Sequence, residues 1–209
     1  ILDDIVFMPN GNILASLIFV DISDPMSPIL RQELHKSTDG GSSWTIIQNY
    51  PDDTNTDTKL TVDPNNNIFY YKADKDLNHL ILRSTDGGTT FSNTNYNVDR
   101  KPLQFEYSFG TLFLSTSKGL YSTKDNGANY RLYDIPIQER PAGYAQATKY
   151  VATFAVGSAN EIYVGLDNTW GVYHTTNGGA EWDSLNSGIN TGRLYDMALN
   201  SNRDLFFAG

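Results

Sequence analysis

The sequence predicts an all-β protein, a propeller of four-stranded antiparallel blades, and three observations carry that prediction. An octapeptide of Ser/Thr, Asp and Gly recurs four times. Between its copies lies a second repeated unit, two short apolar runs joined by a polar turn. The acidic residues are 19 Asp against 5 Glu in 209 residues, and Asp favours turns where Glu favours helix.

The octapeptide copies are Ser37-Thr-Asp39-Gly-Gly41-Ser-Ser-Trp44, Ser84-Thr-Asp86-Gly-Gly88-Thr-Thr-Phe91, Thr123-Lys-Asp125-Asn-Gly127-Ala-Asn-Tyr130 and Thr175-Thr-Asn177-Gly-Gly179-Ala-Glu-Trp182. Their shared rule is Ser/Thr, any, Asp or once Asn, any, Gly, any two, aromatic. The third positions, 39, 86, 125 and 177, lie 47, 39 and 52 residues apart. A single copy would carry little weight; four at this spacing mark repeats of roughly 40–50 residues, the period of a propeller blade.

The flanking segments supply the strands. Apolar runs lead into the later octapeptides at His79-Leu-Ile-Leu82, Gly119-Leu-Tyr121 and Gly171-Val-Tyr173. Further upstream, paired runs meet at a turn: Ile5 to Met8 with Ile13-Leu14, Leu60 to Val62 with Ile68-Phe69, and Phe105 to Tyr107 with Leu112-Phe113. The pattern returns at Phe154 to Val156 with Ile162-Tyr163, and at Met197 to Leu199 with Leu205-Phe206. β-Branched and aromatic runs around Asn/Gly turns are hairpin chemistry. No window holds a 3.6-residue period, so no helix is expected. Each repeat therefore holds strands A to D with the octapeptide at the C–D turn, in blades over about 1–50, 51–98, 99–136 and 148–188, plus a partial blade over 189–209.

The residue types in the octapeptide point to a structural turn. The Asp carboxylate can accept hydrogen bonds from its own turn, Gly admits positive φ, and the aromatic can pack under the hairpin or between blades. Trp44, Phe91, Tyr130 and Trp182 are accordingly expected to be mostly buried.

With these four copies in view, the chain resembles the Asp-box, or BNR, repeat superfamily over almost its whole length. The superfamily includes sialidases, xyloglucan-cleaving glycosidases, sortilin-type receptors, a photosystem II assembly factor and many exported bacterial proteins. The run from Gly171 to Trp182, followed by Leu185-Asn-Ser-Gly-Ile189, looks most like the last group, which implies a secreted or cell-surface location. Members of that group often carry a C-terminal sorting domain, and none is visible in this sequence. Four blades and half a fifth make an unclosed arc, so the chain reads as part of a larger propeller, and its start at Ile1 without a signal-peptide pattern reads as an excised or processed segment.

Composition narrows the function classes. A net charge of −9, a pI near 4.6 and scattered basic residues argue against nucleic acid and anionic membrane surfaces as partners. The absence of cysteine removes thiolate chemistry and disulfides. No apolar run approaches the ~20 residues of a membrane span, so direct membrane insertion is not expected.

If A–B and C–D turns share one end of each blade, the irregular insertions fall at the other. They are 21–30, 49–58, 73–78, 95–102 and 134–149, and variable loops on a rigid scaffold are the usual place for binding. Tyr50, Tyr96 and Tyr144, with the Glu139–Arg140 pair, are the candidate ligand contacts. Asp53, Asn55 and Asp57 alternate as oxygen ligands of a Ca²⁺ loop do, but no Gly follows at the sixth place and no Glu at the twelfth. Ca²⁺ is the one ion the sequence suggests, and no other cofactor is expected. His35, His79 and His174 lie on or beside C strands far apart in sequence, which favours ordinary strand packing for each.

Three functions compete. The first is a non-enzymatic secreted or cell-surface module that binds carbohydrate or protein. The second is a fragment of a glycoside hydrolase, of sialidase or xyloglucan-cleaving type, with catalytic residues largely outside this segment. Glu139, Arg140 and Tyr144 echo the Tyr–Glu pair and arginines that the sialidase resemblance implies. Yet none of the seven arginines sits in the Arg-Ile-Pro context of that family, Arg31 being the only one before Asp39. The third is an assembly chaperone like the photosystem factor, whose basic patch this acidic chain lacks. The first reading is preferred.

Overall fold

The computed structural model describes residues 1–21, 29–50, 58–73, 78–98, 100–136, 149–167, 171–189 and 194–209. It is all β, without a helix among them. Blade 1 comprises β1 (Leu2–Phe7), β2 (Ile13–Asp21), β3 (Ile29–Ser37) and β4 (Thr45–Tyr50). Blade 2 comprises β5 (Lys59–Val62), β6 (Ile68–Ala73), β7 (His79–Ser84) and β8 (Ser92–Asn93). Blade 3 comprises β9 (Gln104–Ser108), β10 (Thr111–Thr116), β11 (Gly119–Thr123) and β12 (Arg131–Leu132). Blade 4 comprises β13 (Val151–Val156), β14 (Ile162–Leu166), β15 (Gly171–Thr175) and β16 (Asp183–Ser184), and a hairpin of β17 (Asp196–Leu199) and β18 (Leu205–Ala208) follows. Strand order in every sheet follows chain order, and all pairs are antiparallel. This is the propeller architecture expected, with each octapeptide between the third and fourth strands.

The chain divides into two compact units, Ile1–Asp99 with Asp125–Asn129, and Arg100–Lys124 with Tyr130–Gly209. Second strands such as Ile68–Ala73 and Ile162–Leu166 are buried at every residue, because a blade is covered on both faces and so reads as a continuous apolar run instead of alternating. In the first unit Leu14 and Leu34 of blade 1 pack on Leu60, Ile68, Tyr70 and Leu82 of blade 2. In the second, Phe113, Leu120 and Tyr133 pack on Ile162, Val164 and Tyr173, while Tyr163 and Val172 pack on Met197 and Leu194.

The octapeptide turns share one geometry. The Ser37 hydroxyl donates to Asp39 Oδ1 (2.8 Å) and accepts from the Gly41 amide (2.8 Å). Ser84 does the same with Asp86 and Gly88, as does Thr175 with Asn177 and Gly179. The third residue then accepts the amide four residues on: Ser43, Thr90, Asn129 and Glu181, at 2.8–2.9 Å. Two successive positive φ angles make this possible, 70° and 93° at Gly40 and Gly41, and 59° and 90° at Asn126 and Gly127. Asn126 stands where the other copies have Gly, and Asn tolerates the left-handed region better than other side-chain-bearing residues. Asn177 shows that the turn needs an oxygen acceptor and not a charge.

Each later turn also docks on the blade before it. Lys36 Nζ donates to Gly87 O (2.8 Å), Asn95 donates to Gly127 O and Ala128 O (2.8 and 2.9 Å), and Arg131 Nη1 donates to Gly178 O (3.0 Å). A side chain of that preceding blade lies over the second glycine, Ile47 over Gly88 and Tyr133 over Gly179. This corrects one expectation. Phe91, Tyr130 and Trp182 are half-buried, with Phe91 edge-on to Tyr70 (6.4 Å) and Trp182 edge-on to Tyr133 (6.2 Å). Trp44, however, is 41% exposed. Around the first octapeptide, no described side chain of another blade lies over Gly41 as Ile47 lies over Gly88 and Tyr133 over Gly179; only its own Trp44 and Ile13 are near.

First strands are joined by a side-chain oxygen. Asp4 Oδ2 accepts the Leu60 amide (2.7 Å) and Gln104 Oε1 accepts the Phe154 amide (2.8 Å). The two positions are equivalent, facing Ser16 and Ser115 across their hairpins. Burial raises the Asp4 carboxyl above its ordinary range, against the opposing pull of the Leu60 and Ile5 amides.

Two predictions follow from this geometry. A methyl group at Gly88 would meet Ile47 Cδ1 at 2.5 Å, whereas at Gly41 nothing lies closer than 3.8 Å. Gly41→Ala is expected to cost only the left-handed backbone penalty of about 1–2 kcal/mol, and Gly88→Ala more; urea midpoints at constant m-value measure both, and equal losses would refute the docking contact.

Asp39 and Asp86 have pKa values of about 2, below the ordinary 3.8, chiefly through the hydroxyls of Ser43 and Thr90. Their contribution to stability is therefore complete above about pH 4 and lost as pH falls toward about 2. The double variant Asp39→Asn, Asp86→Asn is expected to show a smaller Tm decrease over that window than the parent chain.

Candidate functional site

The insertions expected to bind fall largely outside the described residues. Asp53, Asn55 and Asp57 lie there, as do Glu139, Arg140 and Tyr144. Of the sequence-predicted contacts only Tyr50 and Tyr96 are described, and they differ. Tyr96 is 8% exposed, so its ring belongs to the interior and is not presented to a partner. Tyr50 is half-buried at the end of β4, where the strand runs out toward the 51–57 insertion.

Tyr50 stacks on Tyr70 of blade 2, with centroids 6.1 Å apart and planes 21° apart, and Lys72 Nζ lies 3.6 Å from its centroid. Lys72 is 6% exposed, so the ring face takes the place of much of the water its ammonium would otherwise hold. On the other face of β6, the Tyr71 hydroxyl meets His79 Nδ1 at 2.8 Å with the rings stacked at 6.0 Å. The roots of the 51–57 and 74–77 insertions thus carry aromatic rings, an ammonium and an imidazole held by one another.

Blade 1 adds a charged cluster that sequence spacing did not reveal. Arg31, Glu33 and His35 alternate along β3 and therefore share a face. The buried Glu33 carboxylate meets Arg31 Nε and His35 Nε2, each at 2.8 Å. The Arg31 guanidinium lies 5.4 Å from the Phe19 centroid, since Phe19 is paired directly with Arg31 across β2 and β3.

The second unit holds another such cluster at its turn end. Glu161 precedes β14, Tyr163 and His174 are direct cross-strand partners, and Arg203 sits in the β17–β18 turn with φ of 65°. Tyr163 and His174 stack closely, 4.2 Å and 20°. The Tyr163 hydroxyl donates to Glu161 Oε1 (3.2 Å), His174 Nε2 lies 3.5 Å from that oxygen, and Arg203 Nη1 lies 3.0 Å from Oε2. Neither of the last two contacts is an aligned hydrogen bond. Burial, the Glu161 charge and its hydrogen bond together raise the Tyr163 phenol above its ordinary value, so it is held protonated as a donor. On β9, burial likewise raises Glu106, opposed by a hydrogen bond with Ser108.

The chemistry available is recognition through stacking, cation–ring contacts and charge-assisted hydrogen bonds. Each of the three histidines has its own neighbour, Glu33, Tyr71 or Tyr163. No group of three or more His, Cys, Asp or Glu residues placed to hold a metal ion occurs among the described residues.

No protein-family model and no curated protein sequence matches the chain. Solved structures do. The chain is similar to YCF48 bound to D1 peptide, at 17% identity and a TM-score of 0.61, over 99% of this chain and 59% of that one. It is also similar to an ancestral GH74 enzyme, at 15% identity and a TM-score of 0.59, over 97% of this chain and 33% of that one. A third similar structure is a mutant α-L-arabinofuranosidase from Fusarium graminearum in complex with an iminosugar inhibitor, at 13% identity and a TM-score of 0.58, over 98% of this chain and 71% of that one. At these identities the likeness establishes the β-propeller fold, and the chain spans 59% of the length of YCF48.

The Glu161–Arg203 contact is open to a double-mutant cycle with Glu161→Ala and Arg203→Ala. Arg203 is 62% exposed, which limits the expected coupling to about 0.2–1 kcal/mol in denaturant unfolding. Zero coupling would mean that the ion pair does not tie the hairpin to blade 4.

Proposed function

We propose that the chain is a non-enzymatic propeller module of the Asp-box (BNR) type, secreted or displayed at the cell surface, that binds a carbohydrate or a protein. The observation that carries this reading is the difference between the two ends of its blades. At one end the octapeptide turns use their polar groups on themselves and on the preceding blade. At the other, the strand residues that flank the variable segments 51–57 and 74–77 in sequence hold Tyr50 with Lys72, and Tyr71 with His79, already paired. Rigid aromatic and cationic groups under variable loops suit a polar partner, which stacks on rings and exchanges hydrogen bonds. The similar structures lend general support, since YCF48 was solved with a bound peptide and the arabinofuranosidase with an iminosugar.

A second reading, a fragment of a glycoside hydrolase, draws on the Tyr163–Glu161 hydrogen bond with Arg203 beside it. It is the weaker one. The sialidase pattern needs three converging arginines and a reactive phenolate, whereas this cluster has one arginine and a phenol held protonated.

The purified chain is expected to show no turnover of fluorogenic sialosides or β-glucan oligosaccharides, and to retain glycans or peptides in an immobilised array. Tyr50→Ala should weaken that retention by about tenfold, the scale of one aromatic contact. Hydrolysis of either substrate would overturn the reading in favour of the glycosidase. In the same preparation, a Tm unchanged by millimolar Ca²⁺ would remove an ion held by Asp53, Asn55 and Asp57.

A further inference from the structure

The residue just before each octapeptide is paired with a second-strand residue, Leu14, Phe69, Phe113 or Tyr163. Each of these is paired in turn with a first-strand residue: Val6, Thr61, Glu106 or Ala155. Four equivalent places thus hold valine, threonine, glutamate and alanine. Among them, only blade 3 offers an ionisable group.

Glu106 faces blade 4. Gln104, Glu106 and Ser108 alternate along β9 and share one face. Gln104 uses that face to grip β13, accepting the Phe154 amide (2.8 Å) and the Thr153 hydroxyl (3.1 Å) and donating to Phe154 O (2.9 Å). Phe113, the cross-strand partner of Glu106, is 1% exposed and lies 6.0 Å from Phe154, ring to ring, in a cluster with Ile162 and Val164. The titratable members of that cluster are the phenols of Tyr133 and Tyr173, and none is charged. Glu161 turns to the opposite face of blade 4 with Tyr163. Arg131 ends the cross-strand row Glu106–Phe113–Ser122–Arg131 and is bonded to Gly178 O; three strand spacings put it about 14 Å from Glu106. Ser108 is hydrogen-bonded to the half-buried Glu106 carboxyl, and burial outweighs that bond, raising the carboxyl above its ordinary 4.5.

We propose that the packing of blade 3 on blade 4 is pH-sensitive, tightening when Glu106 takes up a proton and weakening when it ionises. An ionised carboxylate here exchanges its hydration for one hydroxyl donor and an apolar neighbourhood, a cost that the protonated form largely escapes. The sign is opposite to that of Asp39 and Asp86. A carboxyl raised in the folded chain makes a contribution that is present in full below about pH 4.5 and is lost as pH rises through its folded titration. This seam is therefore firmest in mildly acidic conditions.

Glu106→Gln keeps the shape and removes the charge; Glu106→Val, which copies the equivalent place in blade 1, serves if the amide folds poorly. Urea midpoints at constant m-value, taken from about pH 4.5 to about pH 7.5, compare them with the parent chain. The parent is expected to match Glu106→Gln at the acid end and to fall below it as pH rises. Its unfolding equilibrium should shift by up to about tenfold per pH unit across the titration. Asp4, raised as well, titrates in both chains and cancels from the difference. Hydrogen exchange, corrected for the intrinsic rate, should show the parent's β13 amides losing protection with rising pH relative to the variant. The same pH dependence in the parent and both variants would overturn the inference. A difference seen at β6 and not at β13 would overturn it too, by moving the effect to another seam.

Discussion

A four-stranded blade carries apolar residues on both faces, and its own ladder of hydrogen bonds covers neither. What orders the architecture is the contact at the second and fourth octapeptides, where the fourth-strand region of one blade lies across the turn of the next. Two left-handed residues fold that turn flat enough for Ile47 or Tyr133 to rest on a glycine. Lys36 or Arg131 then reaches carbonyl oxygens that the tight backbone has turned outward. Apolar burial drives the faces together, and this contact sets which strand meets which. The half-buried Trp182 and the exposed Trp44 show the same turn with and without it.

The turns were readable in the sequence because their chemistry is local: an acceptor, a hydroxyl two residues before it and glycines after it lie within eight residues. The strands were readable for a related reason, since each run is bounded by its own turn. What escaped the sequence depends on register and on neighbours. Trp44 has the same type and position as Trp182, and only the preceding blade distinguishes them. Tyr96 resembles an exposed loop tyrosine by sequence, and tertiary packing buries it. The Glu161 cluster joins a turn, two strands and the tip of the next hairpin, across 42 residues from Glu161 to Arg203, with no spacing rule to announce it. The Arg31–Glu33–His35 alternation was visible as letters, but its meaning required knowing that β3 is a strand that brings the three side chains to one face.

Repeats that share a contact need not share the residue that makes it. Asp4 and Gln104 occupy equivalent places and offer the same oxygen to the next first strand, one as a carboxylate and one as an amide. Asp86 and Asn177 show the same indifference in the turn. The geometry fixes an acceptor and leaves charge open, so copies can differ in charge while keeping shape.

The low pKa values of Asp39 and Asp86 reach beyond stability. Carboxylates that stay ionised down to about pH 2 give the turn end of the first unit a permanent negative field, in mildly acidic surroundings as much as in neutral ones. Such a field repels polyanions and counts against that end in any diffusive encounter with them.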